Sequence, residues 1–351
     1  MTAVVLLAIF VLASDVAELN AQAVRGLYTQ RSVVNDAFIV ESEPDIACTA
    51  TGTDAVCIGD GAVAGDDPLD NAVLAIGASS TATGIDSIAL GHNSDATQSG
   101  AIAIGGSIND ASSADATGTN AIALGSNTLA NDTDTVAIGA NAEATGPNAL
   151  AIGDTAFATG QDTIALGRNT DAGGGQCIAI GGAAVDTDSA DCSAPNTVAL
   201  GQSILASTEG EFAYASGSFT TQSDAHTSIY VLRNITTDGA QTELFADESA
   251  ADLAITLNCT AAFRINVVAR RTDVQNAGAA YFFEGAIDNN GGTTALIGSV
   301  GKVVVAEDTA AWDATVTADN VNDGINVLVT GEAAKTIRWV ARAEITEACT
   351  G

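Results

Sequence analysis

The sequence predicts an all-β protein: a parallel β-roll of 14-residue coils, then an antiparallel β-sandwich of jelly-roll type, with a short helix near the N-terminus. Three observations predict it. A glycine-ended motif recurs at fixed spacing through the middle of the 351-residue chain. Hydrophobic residues make up 47% of the chain but aromatics only 4%. After Gly217 the short repeat gives way to longer alternating runs separated by turn residues. Apolar material made mostly of Ala, Val, Ile and Leu, together with 36 glycines, fits thin, closely stacked layers better than the thick core of a globular enzyme.

The repeat has the form x-[Ile/Val/Leu]-Ala-[Ile/Leu]-Gly and ends at Gly77, Gly91, Gly105, Gly125, Gly139, Gly153, Gly167, Gly181 and Gly201. Gly59 closes a degenerate first copy and Gly217 a degenerate last one. Six of the eight steps between Gly77 and Gly201 are 14 residues; the other two, from Gly105 and from Gly181, are 20. Both long steps begin with Gly-Gly, so one kind of insertion occurs twice, over 106–120 and 182–196, and these segments are expected to project from the roll as contact surfaces. A second glycine (Gly84, Gly118, Gly146, Gly160, Gly174) falls seven residues before the next main one, so two half-turns make a coil with glycine at its corners.

The period excludes helix. In the copy ending at Gly105, Ile102 and Ile104 share one face of a strand while Ala101 and Ala103 share the other. Both faces are apolar. One can fill the interior of the coil, but a 14-residue coil is too thin to shelter the other, and neighbouring chains in a closed ring are its natural cover.

Nearly the whole of 55–217 resembles the head repeat of YadA-like trimeric autotransporter adhesins, a pattern of roughly Asn-Ser-[Val/Ile]-Ala-[Ile/Leu]-Gly-x-x-[Ser/Asn]-x-Ala-x-Gly. Asp162, Thr163, Ile164, Ala165, Leu166, Gly167, Arg168, Asn169, Thr170, Asp171, Ala172, Gly173 and Gly174 follow it almost position for position. The resemblance implies a left-handed roll assembled as a homotrimer. Such adhesins end in a coiled-coil stalk and a membrane β-barrel, and this chain is expected to have neither; the same head repeat occurs in phage tail fibres.

The domains expected are an attachment segment over 1–54, the roll over 55–221 and a sandwich over 222–351 as the receptor-binding tip. Residues 2–13 are apolar with no preceding Lys or Arg and too short to span a bilayer, so they read as a buried strand or helix, with a signal peptide as the alternative. Asp15 and Glu18 form a capping box, and Val16, Leu19, Ala23 and Leu27 recur at helical spacing up to about Tyr28. In the sandwich, strands are expected at 228–235, 253–257, 263–271, 280–287, 296–305, 315–317, 325–330 and 336–345. Segments around Tyr230, Val267 and Trp339 resemble C-terminal modules of phage tail fibre proteins.

A formal net charge of −32 argues against nucleic acid and anionic membrane as partners. The cysteines are read as neighbour-paired disulfides, Cys48 with Cys57, Cys177 with Cys192 and Cys259 with Cys349, against the alternative of buried free thiols. Trp312 and Asp313 are candidate receptor contacts, the indole stacking on a sugar ring, although core filling is the default for every aromatic of this domain. Arg264, Arg270, Arg271, Arg338 and Arg342 are expected to pair with carboxylates, or as a cluster to hold an acidic glycan. No cofactor is expected. The Asp-rich stretches Asp66-Asp67-Pro68-Leu69-Asp70, Asp132-Thr133-Asp134 and Asp186-Thr187-Asp188 with Asp191 are the candidates for Ca²⁺, against solvated loop charge. His92 is expected to be exposed at a corner.

No nucleophile, P-loop or zinc motif appears, so the chain reads as non-enzymatic. The expected role is a trimeric adhesive fibre of a phage tail or other virion appendage. It would join other virion proteins through its N-terminal segment and meet a host-surface glycan or protein at its tip, outside the cell and without membrane insertion. A bacterial cell-surface or secreted adhesin is the second reading and a polysaccharide depolymerase the third.

Overall fold

The computed structural model describes residues 28–31, 38–41, 48–65, 72–107, 113–185, 188–274 and 276–350. The N-terminal helix, residues 2–13 and the calcium candidates at 66–70 and 186–187 lie outside them. Among the described residues there is no α-helix. The chain divides into two compact units, one running to Asn141 and the other beginning at Ala142.

The first unit opens with a hairpin of Tyr28–Arg31 against Phe38–Glu41. Phe38–Glu41 then pairs in parallel with Val56–Ile58, so the parallel ladder starts before residue 55, where the glycine-marked repeat becomes legible. From there two parallel sheets alternate along the chain. One contains Val56–Ile58, Leu74–Ile76, Ile88–Leu90, Ile102–Ile104 and Ile122–Leu124. The other contains Thr49–Ala50, Val63–Ala64, Thr81–Ala82, Asp95–Ala96 and Ala114–Ala116. Equivalent repeat positions stack on each other: Ile102 on Ile88 and Ala103 on Ala89.

Three-residue strands leave little width between the two sheets, and the chain fills it with the smallest apolar side chain. Ala75, Ala89, Ala103, Ala123 and Ala137 from one sheet and Ala64, Ala82, Ala96, Ala116 and Ala130 from the other are fully buried. This decides which face is the interior: alanines point in, and Ile, Leu and Val point out.

The second unit carries the same construction through Leu150–Ile152, Ile164–Leu166, Ile178–Ile180, Val198–Gln202 and Phe212–Ser216. Its opposite sheet runs from Glu143–Ala144 to Ile204–Ala206. Cys192 takes the register position of Ala172, and its disulfide to Cys177 fills that coil from within. In the first unit Cys57 stands in the register position of Ala75 and is bonded to Cys48.

The repeat then ends in a change of direction. Phe212–Ser216, parallel to the coil before it, pairs antiparallel with Ala225–Thr236, the first long strand of the sandwich. One sheet places Ala225–Thr236, Ile337–Cys349, Cys259–Arg271, Gly278–Asn289 and Gly301–Glu307 side by side. The second sheet is Asp313–Asp319 against Gly324–Thr330, whose other edge takes Gln241–Glu243 and Leu253–Ala254. Strict alternation along Cys259–Arg271 and Ile337–Cys349 turns Phe263, Ile265, Val267, Trp339, Ala341 and Ile345 inward. They pack with Val316, Ile325 and Val327 of the facing sheet and with Trp312, which stands just before the strand Asp313–Asp319.

The expected strand at 296–305 is instead two, Thr294–Leu296 and Gly301–Glu307, because Gly298, at φ 74°, takes the chain out of extended conformation between them. Gly301–Glu307 is exposed on both faces, with Val303, Val304 and Val305 all at least half exposed. Gln241–Glu243 gave no sequence signal, since three polar residues carry no alternation.

Candidate functional site

The largest chemical feature of the roll is its outer surface. Turning the alanines inward leaves the large aliphatics of the same strands facing outward and only part covered. In the first unit these are Leu74, Ile76, Ile88, Leu90, Ile102, Ile104, Ile122, Leu124, Val136 and Ile138. In the second they are Leu150, Ile152, Ile164, Leu166, Ile178, Ile180, Val198 and Leu200, continued by Phe212 and Tyr214. Leu90, Leu124 and Leu166 are each about 40% exposed, as is Phe212. The outward positions of the opposite sheet are more often polar: Thr49, Thr81, Asp95, Asp115, Glu143, Asp171 and Asp191, broken by Val63, Leu129, Phe157 and Leu205. Each unit thus has one aliphatic face, and an opposite face on which carboxylates alternate with threonine and apolar residues. A contiguous aliphatic stripe of this kind marks a surface that is covered in the functional state.

The corners that space these side chains follow from backbone geometry. The nine repeat glycines have φ between 114° and 157°, outside the range of an L-residue. A Cβ on Gly153 would also lie 2.1 Å from the Gly167 carbonyl oxygen on the next coil. The half-period glycines serve differently. They need no positive φ, but a Cβ at Gly146 would meet the Gly160 oxygen at 1.9 Å. The turn itself is made two residues later by Asp86, Asn120, Asn148 or Asp162, near φ 58°. Consecutive coils join these residues in a side-chain ladder: Asn120 donates to Asp134 at 2.9 Å and Asn148 to Asp162 at 2.8 Å. Sequence reasoning placed the turns on the glycines alone; the Asn/Asp two positions on, a residue type that tolerates the left-handed region, was the signal available.

The two insertions are narrower than expected. Asp115 is in register with Asp95, and Asp171 with Asp191, so each chain segment has rejoined the ladder well before 120 and 196. The extra residues sit between the main glycine and that strand.

In the sandwich, Trp312 is not a receptor contact. It is 2% exposed and meets Trp339 edge to face at 6.0 Å, so its ring fills the core and cannot stack on a ligand. Asp313 is half exposed and salt-bridged to Lys302, whose ammonium lies over the Tyr281 ring at 5.3 Å. The alternation that separates Tyr281 and Phe283 from Phe282 holds: the first two are buried and Phe282 is not. His92 is half-buried rather than exposed. Of the calcium candidates, Asp134 accepts from Asn120, and Asp191 accepts from the Asp171 N–H, Ser189 and Gln222.

Two polar clusters were not foreseen, one partly buried and one buried. Glu243, Asp252 and Asp319 bring carboxylate oxygens within 4.8 Å of one another. Burial, then the charges of Asp252 and Asp319, push the Glu243 carboxyl up to about 7. Where the last coil meets the sandwich, Glu211, His226, Tyr230 and Glu347 line a cavity of about 310 Å³. Glu211 accepts from the Ser207 and Thr208 backbone N–H groups and from the Ser228 hydroxyl. The His226 Nδ1 lies 2.9 Å from the Ser223 carbonyl oxygen and its Nε2 lies 4.0 Å from Glu347. Burial raises the Glu347 carboxyl above its ordinary value. Burial, and then the Glu211 charge, raise the Tyr230 phenol well above its own.

The stacked glycines, inward alanines and outward aliphatics repeat coil after coil. Residues 74–94, 82–107, 116–142 and 144–170 match the YadA head domain repeat (2 copies). No curated protein matches. Among solved structures, the tailspike protein gp49 from Acinetobacter baumannii bacteriophage Fri1, a capsular polysaccharide depolymerase, is similar at 11% identity and a TM-score of 0.26. That likeness covers 66% of this chain and 47% of the tailspike, so the chain spans less than half the length of that protein. The YadA head repeat is therefore the resemblance that bears on function.

Proposed function

We propose that this chain is a trimeric, extracellular adhesive fibre protein. In this reading the roll is the rigid body of the fibre and the sandwich is the part that meets a host surface. The observation that carries it is the outward ladder of partly exposed Ile, Leu and Val on one face of the coils, which neighbouring chains can cover continuously. The YadA head repeats support the adhesive role. Three copies of one weak surface contact act together, so attachment comes from avidity rather than from one tight site. Three disulfides suit an oxidising location.

We assign the fibre to a phage tail or other virion appendage before a bacterial cell-surface adhesin. The fate of residues 2–13 separates them: secretion removes this segment, whereas assembly inside the cell retains it. N-terminal sequencing of protein from its native source distinguishes the two. As a passive binder, the chain leaves the viscosity of a host polysaccharide unchanged.

The assembly is tested by putting a charge on the outer face. Leu166→Asp retains the β signature in circular dichroism, because Leu166 takes no part in the alanine interior, but loses the trimer in sedimentation. A Leu166→Asp chain that sediments as wild type removes the basis of the proposal.

A further inference from the structure

The cavity between the last coil and the sandwich brings together one buried carboxyl from each side. Glu211 comes from the coil, just before Phe212–Ser216, and Glu347 from the sandwich strand Ile337–Cys349. Glu211, Glu347 and His226 are 4%, 6% and 8% exposed, so water does not screen their charges. Of the residues lining the cavity, these three and Tyr230 are the ones that titrate, and none is Lys or Arg. Cys259 and Cys349 stand beside Glu347 but are bonded to each other. The nearby Asp224 carboxylate is turned to its own loop, where it accepts from the N–H groups of Phe219, Thr220 and Thr221. His226 is therefore the cation that the cavity lining can supply.

The Ser223 carbonyl fixes the tautomer of that imidazole. A carbonyl oxygen only accepts, so Nδ1 carries a hydrogen whatever the charge of the ring. Nε2, which faces Glu347 at 4.0 Å, is then the nitrogen that gains or loses the second hydrogen. Glu347 also accepts from the Thr256 N–H at 3.2 Å, and Glu211 ties the coil to the sandwich by accepting from the Ser228 hydroxyl.

We propose that the gap between His226 and Glu347 holds a proton that latches the sandwich to the last coil. With the proton in place, on Nε2 or on the carboxyl, the pair carries no net charge. Without it, the cavity holds two buried carboxylates and no cation, and opening to water relieves them. Burial is the main cause that raises the Glu347 carboxyl, so the folded junction keeps a proton that the opened one releases. The latch is complete below the ordinary value of 4.5 and is lost as pH rises through the raised one. The Tyr230 phenol, raised well above its own ordinary value, keeps its proton throughout.

The test is amide hydrogen exchange of the full chain against pH, corrected for the intrinsic effect of pH on exchange, with the coil segment 164–181 as internal reference. Ser207, Thr208 and Thr256 report the junction, because their N–H groups bond to Glu211 and Glu347. Relative to the reference, their protection should fall about tenfold or more between about pH 5 and about pH 8.5. Glu347→Gln keeps an acceptor for Thr256 and has no proton to lose, so its junction should stay protected across the range. Glu211→Gln, read at Thr256, removes the second charge and should also flatten the fall; it decides the matter if Glu347→Gln does not fold. Glu243→Gln, in the facing sheet, should leave the fall as in wild type. Junction protection independent of pH, a fall that survives Glu347→Gln and Glu211→Gln, or one that disappears in Glu243→Gln would each overturn the proposal.

Discussion

At the scale of single residues, the repeat is held in place by what cannot be substituted. Gly153 combines φ 144° with a backbone oxygen 2.1 Å from where a Cβ would stand. Gly153→Ala should therefore lower stability by at least about 2 kcal/mol, from strain and from displaced stacking. Gly175, with open space around its Cβ position, should accept Ala within about 0.5 kcal/mol. Thermal unfolding of the two variants checks both. Glu243 gives a pH-dependent counterpart. Its folded carboxyl titrates at about 7, above the ordinary value of 4.5, so the folded state holds a proton that the unfolded state releases. Its contribution is fully present below about pH 4.5 and is lost as pH rises through 7. Glu243→Gln should stabilise the protein at pH 8 and flatten the change in melting temperature between pH 5 and pH 8; an unchanged slope would show that the Asp252–Asp319 environment does not act on Glu243. These residue roles were partly legible beforehand. The repeat glycines were visible by spacing, and the cysteine pairs by proximity. For Trp312 the default of core filling holds and the receptor-contact alternative does not, because a tryptophan beside aspartates reads the same in sequence whether its ring turns in or out. The Glu243 cluster was invisible, as its three carboxylates come from distant segments.

At the scale of elements, one rule generates the roll. A strand of Ile-Ala-Ile type has an alanine that fits between closely spaced sheets and two aliphatics that do not, so burial of the alanine forces the aliphatics outward. The sequence showed that both faces were apolar but not which was inner; side-chain volume decides that once the coil width is known. The sandwich strands were found by alternation, and the errors fall where alternation is short or interrupted, at Gln241–Glu243 and around Gly298. Two inner strands of its larger sheet are stapled together: Cys259 and Cys349 face each other across the Cys259–Arg271 and Ile337–Cys349 pair, 90 residues apart in sequence. Replacing both with Ser should cost about 2–4 kcal/mol, mostly by freeing the unfolded chain. The double variant measured by chemical denaturation checks this, and a loss below about 1 kcal/mol would contradict it.

At the scale of the whole molecule, aliphatic side chains along coil after coil call for a partner, and the more polar face of the opposite sheet makes that partner directional. In the proposed trimer the aliphatic faces lie against other copies and the more polar faces toward solvent, where a net charge of −32 keeps assembled fibres apart. In the proposed fibre the coils set reach and rigidity, and the sandwich is the part that meets a surface. The measurement that tests this most directly is the native mass of the full chain. The account predicts three copies of the 34.8 kDa chain, stable on dilution. A monomer that stays soluble at the same concentration would contradict it, because the outward Ile, Leu and Val would then need no cover.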